Sequence, residues 1–227
     1  MDLLEIERLA VAHGLHLRGG FHPMDGDGVP VLLDGRMPAT LLLIGNVGGS
    51  LWPAFSQSVE AGDGAPDPLN RWTERVIGAI ARAAGAEPLY PFGGAPYLPF
   101  QRWAMRAEPV APSPLGILIH PDYGLWHAYR GALAFAERLV LPPRVERPRP
   151  CDSCAGRPCL SACPVGAFTG QGYDVPACLT HIASPGRVCM AAGCLARRAC
   201  PVGTTYGYGE AQARFHMSAF RAVHRDG

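Results

Sequence analysis

Three observations predict an α+β chain built from two modules. Short apolar runs alternate with helical periodicities over the first 141 residues, the pattern of a sheet layer covered by helices. A stretch dense in proline and arginine, Leu141 to Pro150, then interrupts every periodicity. All eight cysteines follow it, between Cys151 and Cys200. The expected division is a first domain over 1–141, a Pro/Arg-rich linker over 142–150 and a cysteine-bearing domain over 151–227.

In the first module, residues 2 to 13 have the spacing of an amphipathic helix, and Thr40 to Gly45 is an apolar run of buried-strand length. A second helix is expected from Asn70 as N-cap to Ala84, with Gly85 as its stop. Glu87 to Phe100 reads as an irregular aromatic loop. Leu115 to His120 reads as a buried strand, followed by a turn at Pro121 to Gly124 and a strand or helix through Arg138. Alternating strands and helices fit an α/β or an α+β layer. Pro142, Pro143, Pro148 and Pro150, with Arg144, Arg147 and Arg149 between them, exclude helix or sheet interior from the linker. Near the end, Glu210 to His224 reads as a short helix.

Composition removes several function classes. The chain has 227 residues, net charge +1 and twenty basic residues, every one an arginine. Without lysine there is no P-loop lysine, Schiff-base lysine or lysine base, which excludes Walker-type nucleotide hydrolysis and covalent pyridoxal phosphate chemistry. Near-neutral charge makes a nucleic acid partner unexpected. The start, Met-Asp-Leu-Leu-Glu-Ile-Glu, has no basic region before an apolar one, and the longest aliphatic run, Leu41 to Ile44, is far short of a membrane span. A reducing cytoplasm with no membrane association is the expectation.

The cysteines form two groups, Cys151, Cys154, Cys159, Cys163 and Cys178, Cys189, Cys194, Cys200. Each group closes on the same string, Cys163-Pro164-Val165-Gly166 and Cys200-Pro201-Val202-Gly203. A cysteine run ending in Cys-Pro matches the bacterial ferredoxin pattern, in which the last cysteine of each run ligates the other cluster. On that rule Cys151, Cys154, Cys159 and Cys200 hold one [4Fe-4S] cluster and Cys163, Cys178, Cys189 and Cys194 hold a second. Eight thiolates fill two clusters, although the wider spacing from Cys154 to Cys159 departs from the usual pattern. Two four-cysteine zinc sites share the ligand type, and four disulfides share the even count; an oxidising compartment, which disulfides need, is not indicated.

Two segments outside the cysteines are candidate sites. Gly45-Asn46-Val47-Gly48-Gly49-Ser50 follows an apolar run and could offer backbone N–H groups to a phosphate, but its spacing is not the dinucleotide fingerprint, and neither Asp63 nor Asp67 closes a second strand. A plain loop is the preferred reading. In Leu118-Ile119-His120-Pro121-Asp122-Tyr123-Gly124-Leu125-Trp126, a histidine ends an apolar strand beside two aromatics. Such a histidine faces a ligand or ties down its own turn, and the aromatics line a pocket or pack the core.

The segment from Leu118 to Trp126, with Arg130-Gly131 after it, resembles the corresponding stretch of the CblC family of cobalamin-processing proteins, which have a nitroreductase-like fold. It is also similar to the epoxyqueuosine reductases, in which a cobalamin domain precedes a two-cluster ferredoxin module, and their cluster order matches Cys178-Leu179-Thr180 here. The likeness spans roughly residues 100 to 205. It implies a CblC-like first domain and a ferredoxin-like second domain. It implies two [4Fe-4S] clusters and a cobalamin, or FMN in its place, near His120, Tyr123, Trp126 and Arg130.

The implied activity is that of an oxidoreductase acting on a corrinoid small molecule, by removing its upper ligand or reducing it toward Co(I). Electrons would come from a flavodoxin, a ferredoxin or a reductase. Arg102, Trp103 and Arg106 would close the pocket or sit as surface residues of a helix. The reductases carry an acidic donor in an Asp-x-x-Pro-Val-x-Glu segment, where this chain has Arg106-Ala107-Glu108-Pro109-Val110, and they continue into a tRNA-holding repeat region. Epoxyqueuosine reduction on tRNA is therefore the second expectation, and a ferredoxin-type carrier with a docking domain the third.

Overall fold

The computed structural model describes residues 1–169, 172–184 and 186–224. Helix α1, Leu3–Val11, starts where Asp2 accepts the Glu5 N–H and the Glu5 carboxylate accepts the Asp2 N–H, a capping box that satisfies two otherwise orphaned donors. Strand β1, His16–Phe21, pairs with β2, Thr40–Val47. Short helices α2, Trp52–Ser56, and α3, Val59–Gly62, lead to α4, Pro68–Ala84. Next come β3, Glu87–Leu89, α5, Phe100–Ala107, β4, Ala111–Pro112, β5, Leu118–Ile119, and β6, His127–Phe135. After a 3₁₀ turn at Pro150–Asp152 come α6, Pro158–Ser161, β7, Phe168–Thr169, and β8, Gly172–Tyr173. Helices α7, Val175–Ala183, α8, Val188–Ala192, α9, Leu195–Arg198, and α10, Glu210–Val223, complete the described chain. None of the described helices is long and apolar enough to cross a membrane.

The chain folds as two compact units, 1–109 with 127–146, and 110–126 with 147–227. The change of unit after Glu146 falls inside the expected linker. Residues 110–126, assigned by the sequence reading to the first domain, instead belong to the unit that carries the cysteines.

In the first unit, a sheet of order β1-β2-β6-β3 is antiparallel throughout. This resolves the α/β alternative in favour of α+β. Leu41, Leu42, Leu43 and Ile44 are all at most 2% exposed, so β2 is covered on both faces. Each such side chain contributes about 1.5–3 kcal/mol of burial. Helix α4 adds Trp72, Val76, Ile77 and Ile80 to the core. It begins two residues before the expected N-cap because Pro68 occupies the first helical position, which needs no N–H; Asn70 therefore lies within the first turn. Gly85, at φ +68°, ends it in the left-handed region as expected. The expected aromatic loop begins with a three-residue edge strand, β3, paired to β6.

In the second unit, β4 and β5 form a hairpin, and most helices have only four or five residues. Helices that short are not stable alone. The main buried cluster joins Leu115, Ile119, Leu125 and Ala196 to Cys159 and Cys200. Two of its six buried members are thiols, so the core of this unit is built around its cysteines.

Candidate functional site

The eight cysteines are free thiols, and the fold sorts them across the sequence order. Cys151, Cys154, Cys159 and Cys200 line one pocket with Pro150, Arg157 and Pro201. Burial pushes the Cys200 thiol up, and the neighbouring Cys159 and Cys154 push it further. Burial also raises Cys151, with Cys200, Cys159 and Cys154 adding to it. Cys189 is raised by burial and then by Cys178 and Cys163, and Cys194 by burial and then by Cys189 and Cys178. Cys151, Cys154, Cys159 and Cys200 share a pocket, and the neighbours that act on Cys189 and Cys194 are drawn from Cys163, Cys178 and Cys189. Among the described residues, no three His, Cys, Asp or Glu side chains converge on the position of a single metal ion.

Backbone N–H groups point at several of the sulfurs. Ala167 donates to Cys163 Sγ at 3.3 Å. Val202 donates to Cys200, and Ala196 and Arg197 donate to Cys194. Such bonds favour the thiolate over the thiol and tune any metal bound to it. Tyr173 lies against the second set, hydrogen-bonded to Cys178, and its hydroxyl is held well above the usual phenol range, first by burial and then by that bond.

The His120 segment is built into this same unit. His120 Nδ1 accepts the Asp122 N–H at 3.0 Å and the Tyr123 N–H at 3.3 Å, and the His120 and Gly124 backbones pair across the turn. A nitrogen that accepts cannot carry the proton, so the ring is the neutral tautomer with hydrogen on Nε2. The Asp122 carboxylate lies 3.9 Å from Nδ1. Tyr123 stacks on the imidazole at 4.2 Å and meets Tyr206 edge-on at 5.1 Å. Trp126 is 5% exposed and packs on Tyr208, with the Arg197 guanidinium 4.6 Å above both rings. Arg197 Nε also donates to the Leu125 carbonyl at 3.0 Å. His120 thus ties down its own turn and Trp126 packs a core, while Tyr123 is half-buried.

The second Cys-Pro-Val-Gly string is locked to that turn. Gly124, at φ +57°, would place a Cβ 1.9 Å from the Val202 carbonyl oxygen, and Gly203, at φ +69°, would place one 2.2 Å from the Tyr123 carbonyl carbon. Only glycine permits this backbone-on-backbone contact. Gly166, the counterpart in the first string, also has positive φ but faces no atom within 4 Å.

Arg130, the fourth expected pocket residue, lies in the first unit. Its guanidinium donates to Thr73 Oγ1 at 3.0 Å and Asn70 Oδ1 at 3.1 Å and lies 5.5 Å over the Phe92 ring. The structure does not bring it into one unit with His120, Tyr123 and Trp126. Of the helix α5 residues, Trp103 is buried and donates to the Asp27 carbonyl at 2.8 Å, and Arg106 pairs with the Asp27 carboxylate. They pin the 24–27 turn. Arg102 lines a shallow cleft beside Asp27.

A buried polar network in the first unit escaped the sequence reading. Arg18 forks onto Glu108 through two 2.8 Å bonds and donates to the Asn46 carbonyl at 3.0 Å; Tyr129 Oη donates to Glu108 at 2.7 Å. His127 Nδ1 lies 3.4 Å from Arg18. Burial, then the Glu108 charge, drives the Tyr129 hydroxyl far above the usual phenol range. The only signals in sequence are a lone arginine in β1 and a glutamate before Pro109, and neither carries a spacing motif. Of Gly45 to Ser50, expected as a plain loop, Gly45 to Val47 are the end of β2 and only residues 48–50 turn: a Cβ on Gly45 would meet the Ala128 carbonyl oxygen at 2.0 Å, and Ser50 donates to the Gly14 carbonyl.

The fold is that of structures from both families named on sequence grounds. The chain is similar to a B12-trafficking protein CblC of C. elegans, with TM-score 0.55 and 15% identity, over 96% of this chain and 95% of that one. It is also similar to epoxyqueuosine reductases of Streptococcus thermophilus (TM-score 0.51, 16% identity, 88% of this chain and 65% of that one) and Bacillus subtilis (0.51, 13%, 90% and 66%). The chain spans about half to two thirds of the length of the reductases. No protein-family model and no curated protein sequence matches it.

Proposed function

We propose that this chain is an iron–sulfur, cobalamin-binding redox protein that processes a corrinoid, either reducing it or removing its upper ligand. In this reading the Cys151, Cys154, Cys159, Cys200 set and the Cys163, Cys178, Cys189, Cys194 set each hold one [4Fe-4S] cluster. The carrying observation is that Cys200 shares a pocket with the first three cysteines, which a crossed ferredoxin-type arrangement requires and an arrangement by nearest sequence neighbours does not. The thiols and N–H donors fit such a group, and a cube, with one thiolate per iron corner, spreads its ligands wider than a single ion does.

Clusters of this kind supply electrons at the low potentials that cobalt reduction in a corrin needs. The protein's share is to hold the thiolates, donate N–H bonds to their sulfurs and join the Cys200 turn rigidly to the His120 turn through Gly124 and Gly203. In this reading His120 and Tyr123, stacked on one another, belong to the corrinoid site. The likeness in fold to a B12-trafficking protein, over nearly the whole of both chains, supports the ligand. Likeness to the epoxyqueuosine reductases supports the second reading, cobalamin chemistry on tRNA. FMN is the competing ligand.

An anaerobic absorbance titration with cob(II)alamin, run beside FMN, tests the reading. A shift to the base-off spectrum is expected with cob(II)alamin alone. His120→Asn keeps a side-chain acceptor for the turn N–H groups, so it should retain iron and bind the corrinoid about tenfold more weakly, equivalent to one lost hydrogen bond. No shift in the wild type contradicts the corrinoid; equal affinity in the variant removes His120 from the site.

A further inference from the structure

Between Val175 and His224 the chain carries five arginines against a single glutamate, Glu210, although its overall charge is only +1. Two of the five are used internally: Arg197 on the Leu125 carbonyl, Trp126 and Tyr208, and Arg198 on the Ala192 carbonyl. The other three, Arg187, Arg214 and Arg221, line one open cleft of about 630 Å³ together with Ser184 and Ser218. Among the described residues, no carboxylate pairs with any of the three. Val188, 50% exposed, adds an apolar contact to the rim.

The cleft is also placed by the cysteines. Its walls come from α7, which carries Cys178, from α8, which carries Cys189, and from α10, which carries Arg214 and Arg221. Buried Cys189 lies between two lining residues, Val188 and Met190. A molecule seated there would touch the helices that carry Cys178 and Cys189.

We propose that this cleft is the docking surface for an acidic electron-donor protein, a small flavin or iron–sulfur carrier with carboxylates around its redox group. This rests on the reading of that cysteine set as a cluster site. Three guanidiniums spread over a loop and a helix around an open cleft suit a protein face better than a single small anion. Electron-transfer encounters bury little area and are guided by charge. The excess of arginine would steer such a partner to the side of the molecule where its electrons enter.

The test is stopped-flow reduction of the anaerobic full-length protein by a reduced acidic flavodoxin, compared with reduction by dithionite. Paired substitution Arg214→Glu and Arg221→Glu is expected to slow flavodoxin reduction about tenfold or more at low ionic strength, within the range of electrostatic steering. The gap should close at high salt, with iron content and the dithionite reaction as in wild type. Arg36→Glu, a surface change in the first unit, serves as the control and should change neither rate. Wild-type flavodoxin rates in the paired variant would overturn the docking surface while leaving the clusters standing, as would loss of iron, which would make these arginines part of the cluster site. A wild type without iron would overturn the cluster reading itself and the docking surface with it.

Discussion

Cys200 lines the same pocket as Cys159, although Cys194 is the cysteine nearest to it in sequence. On the proposed reading, two clusters held in this crossed manner would make losses of iron non-additive in a particular way. Cys200→Ala and Cys151→Ala strike the same cluster, so either alone should remove about half of the iron and the pair no more than that. Cys200→Ala with Cys163→Ala strikes both and should leave little. Iron analysis of the single and double variants checks this; a Cys194/Cys200 pair that behaved as one site would contradict the crossing.

The two Cys-Pro-Val-Gly strings should respond unequally to the same substitution. Gly166→Ala costs only the left-handed backbone, about 1–2 kcal/mol. Gly203→Ala adds a methyl 2.2 Å from the Tyr123 carbonyl carbon, and because backbone must move to admit it, the loss should reach about 4 kcal/mol or more. Thermal unfolding of the two variants ranks them, with Gly203→Ala the lower in Tm.

Arg18 is 2% exposed at its side chain and Glu108 13%. Removing one partner strands a buried charge, so Glu108→Gln or Arg18→Met should each cost about 3–5 kcal/mol in chemical denaturation. Replacing both with apolar residues should cost less than the two single changes together.

Arg75 lies 2.5 Å from the buried Glu60 and holds its carboxyl down to about 2, against an ordinary 4.5. The folded state therefore binds this proton less readily than the unfolded state. The contribution is present in full above pH 4.5 and is lost as pH falls toward 2. Glu60→Gln should flatten that part of the stability curve, measured by denaturation at stepped pH.

Local chemistry was legible in the sequence where one residue type dictates it. The first helix, the stop at Gly85 and the apolar run of β2 each rest on neighbouring residues, and each was legible, whereas the capping box at Asp2 and Glu5 escaped the sequence reading. The start of α4 was displaced because Pro68 competes with Asn70 for the helix entry. What the chain does not print is long-range pairing. The place of 110–126 beside the cysteines depends on Gly124 meeting Val202 and on Arg197 reaching Leu125, contacts between residues more than seventy positions apart with no periodicity in common. The Arg18–Glu108 pair is hidden for the same reason. The cysteine sets remain a proposal that the sequence suggests because a thiolate motif carries its own spacing, whereas Trp126 reads the same in a pocket as in a core.

Iron and acid-labile sulfide analysis of the anaerobically purified wild-type protein addresses the central claim most directly. Two clusters on eight thiolates predict about eight irons and eight sulfides per chain. About two zinc ions per chain, without sulfide, would contradict the account.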